Sequence, residues 1–257
     1  MEEAYSGFAK VYDEFMDNVP YGEWAVYLKM LLGDYQIEDG LLLDLGCGTG
    51  TLTECMSKSG FEMIGIDNSE EMLEIAVEKK EKSGSNTLYL LQDMRSFELY
   101  GTVRAVFSIC DSINYITSTD DLLRTFQLVN NYLDKDGIFI FDLNTEYKYQ
   151  EILAENTFAE NREECSFIWE NYYDLDSCQN EYDLTLFIRD KDFKFQKYEE
   201  IHYQRAYSLS VIQELLQKAG MQFLHAYDAF TKNEPGEQSE RIYVIAKEGR
   251  QEGKKYL

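Results

Sequence analysis

Three carboxylates, Asp44, Asp67 and Asp93, each close an apolar run, and the first is followed at once by Gly46, Gly48 and Gly50. Glycines at such a turn supply unusual backbone angles and let a ligand lie directly against the main chain. The spacing is GxGxG, because Thr51 stands where the GxGxxG turn of dinucleotide-binding proteins places its last glycine. Asp67 lies about twenty residues beyond the first glycine, where a carboxylate can accept both hydroxyls of a ribose. It could instead cap the next helix, since Glu70 follows three residues later. His202 could take a proton from an acceptor hydroxyl or amine, or stand on its strand as a structural residue. Arg205 could pair with an acidic substrate group or with one of the chain's own carboxylates.

These residues need a scaffold, and the hydrophobic pattern supplies one. Apolar residues Phe8, Val11, Tyr12, Phe15, Trp24, Tyr27, Leu28 and Leu31 recur at helical spacing, with a break near residues 19–22. Strand signals at 41–45, 61–66, 88–91, 103–109 and 137–143 then alternate with helix signals. Thr51 to Glu54 reads as a capping box, and Ser118 and Ser210 read as helix starts. Such alternation predicts a parallel sheet with helices on both faces. From about 157 to 206 the helical period disappears, and strand-like runs at 166–173, 182–189 and 198–207 predict an antiparallel meander. A helix ended by Gly220 follows, then strands at 221–228 and 241–246 whose short linker makes them an antiparallel pair.

Composition removes several functions. The chain of 257 residues is 44% hydrophobic and 14% aromatic, enough for a buried core. Asp and Glu number 48 against 24 Lys and Arg, a formal net charge of −24 with no basic run. Nucleic-acid binders draw affinity from basic contacts to phosphates, so such a partner is not expected. Five cysteines without a CxxC pair, and two histidines, argue against a disulfide framework and a zinc site. No stretch is long and apolar enough for a membrane helix, and no basic leader segment stands at Met1. The expectation is a cytoplasmic protein with no metal and no membrane partner.

The glycine loop and the carboxylates closing successive strands resemble the class I S-adenosylmethionine-dependent methyltransferases. The segment Ser108-Ile109-Cys110-Asp111-Ser112-Ile113-Asn114-Tyr115 resembles a bacterial subgroup of them that acts on small molecules or has no known substrate. It is not the (D/N)PPY loop of enzymes that modify base or glutamine amides. The resemblance covers roughly residues 36–144 and 207–247. It implies an α/β, Rossmann-like core, a mostly parallel seven-stranded sheet with a final antiparallel strand, plus a small antiparallel β lobe. The implied division is lid helices at 1–35, a cofactor core at 36–150 and 207–257, and an acceptor-side lobe at 151–206.

The implied cofactor is S-adenosylmethionine, leaving as S-adenosylhomocysteine, without a metal. By resemblance, Asp44 lies near the methionine amino group, and Gly46, Cys47, Gly48 and Gly50 lie against the amino-acid portion. Asp67 meets the ribose, Asn68 and Met72 are further cofactor contacts, and Asp93 and Met94 meet the adenine. Cys110 and Asp111 are cofactor contacts, and Asp111 to Tyr115 form the floor between cofactor and acceptor, with Asn114 and Tyr115 as substrate contacts. Tyr12, in Val11-Tyr12-Asp13, belongs to a lid helix; Tyr12 and His202 are the candidate catalytic residues, Tyr21 and Arg205 candidate substrate contacts. The acceptor expected is a nitrogen or oxygen of a small molecule. The alternatives are an RNA or protein methyltransferase on the same core, or a non-catalytic protein binding a nucleotide-type ligand; oligomeric state stays open.

Overall fold

Successive residues of the apolar strands bury toward opposite layers, and that alternation organises the molecule. The computed structural model describes residues 9–16 and 20–249. In chain order the core elements are α1 (Ala9–Phe15), α2 (Tyr21–Asp34), β1 (Leu41–Leu45), α3 (Thr51–Lys58), β2 (Glu62–Asp67), α4 (Glu70–Ser83), β3 (Leu88–Leu91), β4 (Val103–Ser108), α5 (Thr119–Tyr132) and β5 (Leu133–Asn144). Four strands, β6 (Thr157–Asn161), β7 (Cys165–Asp174), β8 (Gln179–Arg189) and β9 (Phe195–Arg205), precede α6 (Leu209–Lys218), β10 (Gln222–Asp228) and β11 (Arg241–Lys247). Phe8, Val19 and the tail beyond Gly249 lie outside the described residues.

Leu43, Leu45, Phe139 and Phe141 pack with Leu122, Phe126 and Val129 of α5 and with Ile212 and Leu216 of α6. Their neighbours Leu42, Ile138 and Ile140 pack on the other face with Leu28, Leu31 and Leu32 of α2 and Leu52 and Met56 of α3. Alternation with period two therefore places one strand in both layers. Burying each such leucine or phenylalanine contributes about 2 kcal/mol.

The main sheet has the order β10-β11-β5-β4-β1-β2-β3. Pairs β5–β4, β4–β1, β1–β2 and β2–β3 are parallel, while β11 runs antiparallel to both β5 and β10. β1 sits between β2 and β4, so the direction of winding reverses there. A crevice opens at such a reversal, at the carboxyl ends of the strands.

The second sheet, β6-β7-β8-β9, is an antiparallel meander inserted between β5 and α6. It contains one strand more than its sequence pattern predicts. β6 is exposed along most of its length and shows no apolar alternation, so pairing with β7 alone makes it a strand. A π-helical turn, Lys148–Leu153, joins the two sheets.

Two helix starts differ from expectation. α3 starts at Thr51 itself, so its cap position is Gly50 (φ +72°), which has no side chain to cap with, and the Thr51 hydroxyl meets Lys79 and Asp13 instead. α6 is capped by Ser208, whose hydroxyl accepts from Val211 N, and not by Ser210. Ser118 caps α5 as expected, accepting from Asp121 N.

Asn114 fastens the lobe to the core. Its amide nitrogen donates to the carbonyls of Asn144 (3.2 Å) and Arg205 (2.8 Å), and its oxygen accepts from Asn144 N (2.9 Å). The side chain is fully buried, and these bonds occupy both its amide nitrogen and its oxygen. Arg205, expected as a substrate contact, donates to the Thr117 carbonyl and lies over Tyr207. Asn114→Ala should lower unfolding free energy in urea by about 2–4 kcal/mol, because buried backbone groups lose their partners. Tyr100→Ala, at a fully exposed position, should change it by less than about 0.5 kcal/mol.

Candidate functional site

A cavity of about 860 Å³ occupies the crevice, bounded by the ends of β1 to β4, the face of α1 and one wall of the β lobe. Gly46 N (2.8 Å) and Cys47 N (2.9 Å) both donate to the Ile66 carbonyl, which pins the start of the glycine loop to β2. At Gly46 (φ +84°) a Cβ would strike Ser112, so the loop passes too close to the floor for any side chain. At Gly48 (φ +52°) a Cβ would meet no protein atom. The backbone is thus bared to open cavity, where a ligand can approach it. Gly50 stands behind, against Tyr89 and Ala76, and does not line the cavity.

Asp67 serves the loop and the next helix together. Its carboxylate accepts from Gly48 N (2.7 Å) and Ser69 N (2.9 Å), while Ser69 itself caps α4 through Met72 N. Burial raises its pKa, partly offset by those backbone donors. Asp44, 3% exposed, accepts from Thr53 Oγ1 at 2.6 Å. Burial, then the nearby Asp67 charge, push its carboxyl up to about 7 against the Thr53 hydrogen bond. No lysine or arginine pairs with it among the described residues. Asp93 lies at the edge, held below the ordinary carboxylate range by Arg95, whose Nε donates to it at 2.9 Å.

The floor is unusual backbone. Cys110 (φ +71°) and Asp111 (φ +55°) are consecutive non-glycine residues in left-handed geometry, which costs roughly 1–2 kcal/mol each. Asp142, fully buried, accepts from Cys110 N (3.1 Å) and Asp111 N (2.8 Å) and pairs with Arg241. Arg241 also pairs with Asp111 Oδ1 (2.8 Å), whose other oxygen accepts from Gln204 of the lobe (2.6 Å). Gln204 in turn accepts from Tyr149 (2.7 Å) and Tyr182 (2.6 Å).

The roof and wall come from α1 and the meander. Tyr12 stands 3.9 Å from Cys110 Sγ, and burial raises the pKa of both Tyr12 and Tyr21. Asp13 holds the helix down: it accepts from Thr49 Oγ1 (2.7 Å) and pairs with Lys79 (2.6 Å). Phe167, Trp169, Tyr182 and Leu184 make the apolar wall. His202, 6% exposed, pairs through Nε2 with Glu200 (3.1 Å) and meets the Tyr115 ring edge-on at 6.0 Å.

The cavity therefore gathers Tyr12, Tyr21, Asp44, Gly46, Cys47, Gly48, Asp67, Asn68, Met72, Asp93, Met94, Cys110, Asp111, Tyr115 and His202. Gly50, Asn114 and Arg205 fall outside its lining. Sequence reasoning missed Arg241, Gln204, Lys148 and Asp13. Asp13 had a visible signal beside Tyr12; Arg241 is a lone cation opening an apolar run, and its partners lie 99 and 130 residues away.

S-adenosylmethionine fits this lining. Its sulfonium and amino groups are cationic, the buried Asp44 has no basic partner among the described residues, and the bared Gly48 backbone leaves room for a ligand. Comparison with known proteins bears on the same point. The Methyltransferase domain family matches residues 42–137. YqeM of Bacillus subtilis (strain 168), whose name assigns it provisionally to the methyltransferases, is 36% identical over 96% of this chain and 98% of its own. A solved S-adenosylmethionine-dependent methyltransferase from Clostridium acetobutylicum superposes with a TM-score of 0.86 at 30% identity, covering 96% of this chain and 99% of that one. The chain belongs to the class I S-adenosylmethionine-dependent methyltransferases. Among other methyltransferases, CalS10 from Micromonospora echinaspora shares the fold, with a TM-score of 0.73 at 15% identity, covering 96% of this chain and 99% of that one. No described helix of this methyltransferase is long and apolar enough to cross a membrane. Among its described residues no group of three or more His, Cys, Asp or Glu could hold a metal ion.

The methyltransferase without cofactor should carry a pH signature of Asp44. Its folded-state carboxyl titrates at about 7 against 3.8 for an unhindered one, so the folded protein keeps a proton that the unfolded chain has lost. The associated stability is complete below pH 3.8 and disappears as pH rises to about 7. Urea unfolding across that window should therefore show Asp44→Asn gaining stability relative to wild type as pH rises. Parallel curves would contradict the assignment.

Proposed function

We propose that this enzyme transfers the methyl group of S-adenosylmethionine to a nitrogen or oxygen atom of a small-molecule acceptor. The observation that carries the reading is a single cavity, acidic and glycine-lined at one end and aromatic at the other, enclosed between core and lobe. Its volume of about 860 Å³ falls in the range of small-molecule sites, not of a groove for a polymer. The charge of −24 further weakens a nucleic-acid substrate. Fold-level analogy agrees: CalS10 is an amino pentose methyltransferase, and KedS8 of Streptoalloteichus, TM-score 0.75, a sugar N-methyltransferase.

When bound, the cofactor supplies a methyl group already activated by the sulfonium, so the protein's task is alignment and exclusion of water. Asp67 accepts the ribose hydroxyls with the lone pairs that Gly48 N and Ser69 N leave unused. The Gly46–Gly48 backbone receives the amino-acid portion, Asp44 its amino group, and Asp93 with Met94 the adenine. α1, latched by Asp13, closes over the cofactor as a lid that keeps water out. The lobe wall holds the acceptor, with Tyr21 and Tyr115 beside it. His202, oriented by Glu200, takes the acceptor's proton where that acceptor is a hydroxyl or a protonated amine.

Calorimetric titration with S-adenosylhomocysteine should show micromolar binding, weakened about tenfold or more in Asp67→Ala. Absence of binding by the folded wild type would remove the reading. In a radiolabelled methyl-transfer screen of amine and hydroxyl metabolites, His202→Gln should lower kcat about 100-fold while leaving S-adenosylhomocysteine affinity unchanged. An unchanged kcat would return His202 to a structural role.

A further inference from the structure

Lys148 is a half-buried cation that pairs with no carboxylate among the described residues, in a chain that carries 48 acidic residues against 24 basic ones. It opens the π-helical turn that follows β5 and lines the cavity at the carboxyl edge of the sheet. Wide helical turns of this type recur at functional sites. Among the described residues of the cavity the other cations are matched: Arg95 by Asp93, and Arg241 by Asp111 and Asp142. The ammonium of Lys148 meets a neutral group, the side-chain oxygen of Asn144, at 3.1 Å. Among the described residues no carboxylate lies within salt-bridge distance of it.

Two of the acids around it, Asp111 and Asp142, are committed to other partners. Asp111 gives one oxygen to Arg241 and the other to Gln204. Asp142 gives one to Arg241 and Cys110 N and the other to Asp111 N. Glu240 attracts Lys148 without reaching it, and Arg241 repels it. Burial of the ammonium lowers its pKa, a cost that an anion placed beside it would offset. A second unmet donor lies close by in the fold. The Trp169 indole N–H is buried without a partner, and its ring meets Tyr182 at 5.1 Å in the cluster that also holds Tyr149 and Leu153 of the same turn. Buried donors left unpaired in a native protein call for an explanation, and a ligand oxygen is one.

We propose that the acceptor carries an anionic group, a carboxylate or a phosphate, and that Lys148 receives it. The inference rests on the small-molecule reading above and specifies its substrate class. Its binding energy would set the reacting atom against the cofactor end of the cavity, since charge pairing in a dry site orients as well as attracts.

The chain's two tryptophans, Trp24 and Trp169, both line the cavity, so their fluorescence reports its occupancy. Protein saturated with S-adenosylhomocysteine would be titrated with benzoate, phenyl phosphate, benzyl alcohol and benzylamine. At least one anion should bind about tenfold more tightly than both uncharged and cationic probes. The stronger of the two identifies carboxylate or phosphate. Lys148→Met should abolish the preference, Lys148→Arg should keep it, and both should bind S-adenosylhomocysteine as wild type does, which also shows that they fold. Absence of an anion preference, or its persistence in Lys148→Met, would overturn the proposal. Weakened S-adenosylhomocysteine binding in Lys148→Met and Lys148→Arg alike would assign the residue to the cofactor and overturn it too. Methyl transfer to metabolites irrespective of their charge would leave the small-molecule reading standing and remove this one.

Discussion

The fully buried carboxylate of Asp142 is the interaction on which the rest of the site depends. It sits on β5, yet its hydrogen bonds shape the loop after β4, and its ion pair comes from the first residue of β11. Without those acceptors the left-handed turn at Cys110 and Asp111 would have nothing to offset its strain. Removing one partner of a buried ion pair leaves an uncompensated charge, commonly at a cost of about 3–5 kcal/mol. The floor of the cavity, the antiparallel strand and the seam of the sheet therefore stand or fall together.

The same unit reaches the β lobe. Asp111 holds Gln204, and Gln204 collects the hydroxyls of Tyr149 and Tyr182. Asn114 makes a second, uncharged tie between the floor, β5 and the end of β9. Both ties lie beside the cavity, so the aromatic wall is registered against the cofactor end by polar groups and not by packing alone. Apolar contacts are non-directional, whereas hydrogen bonds fix orientation, which a transfer reaction requires.

At the opposite rim, Asp13 and Lys79 bring α1 down on the glycine loop through Thr49 and Thr51. The partly exposed ion pair is worth little by itself. Its force lies in the two threonine hydroxyls it gathers, which tie helix, loop and α4 into one network. Thr51, which the local pattern assigns to a helix cap, is taken by this network instead. A long-range arrangement has here overridden a local preference.

Much of the architecture was legible along the chain because its signals are local. Apolar runs ended by Asp44, Asp67 and Asp93, a glycine loop, and the change of period after about residue 157 are properties of neighbouring residues. They determined the parallel core, the inserted meander and the cofactor end of the cavity. Tertiary structure decided which polar residues stayed available. Asn114 and Arg205 looked like substrate contacts, but Asn114 is spent in fastening β5 to the end of β9, and Arg205 donates to the Thr117 carbonyl. Arg241 and Lys148 carried no local signal of a role, yet folding matched Arg241 to two acids and left Lys148 with none among the described residues. Whether a charge is paired depends on partners up to 130 residues away, and no local spacing encodes that distance.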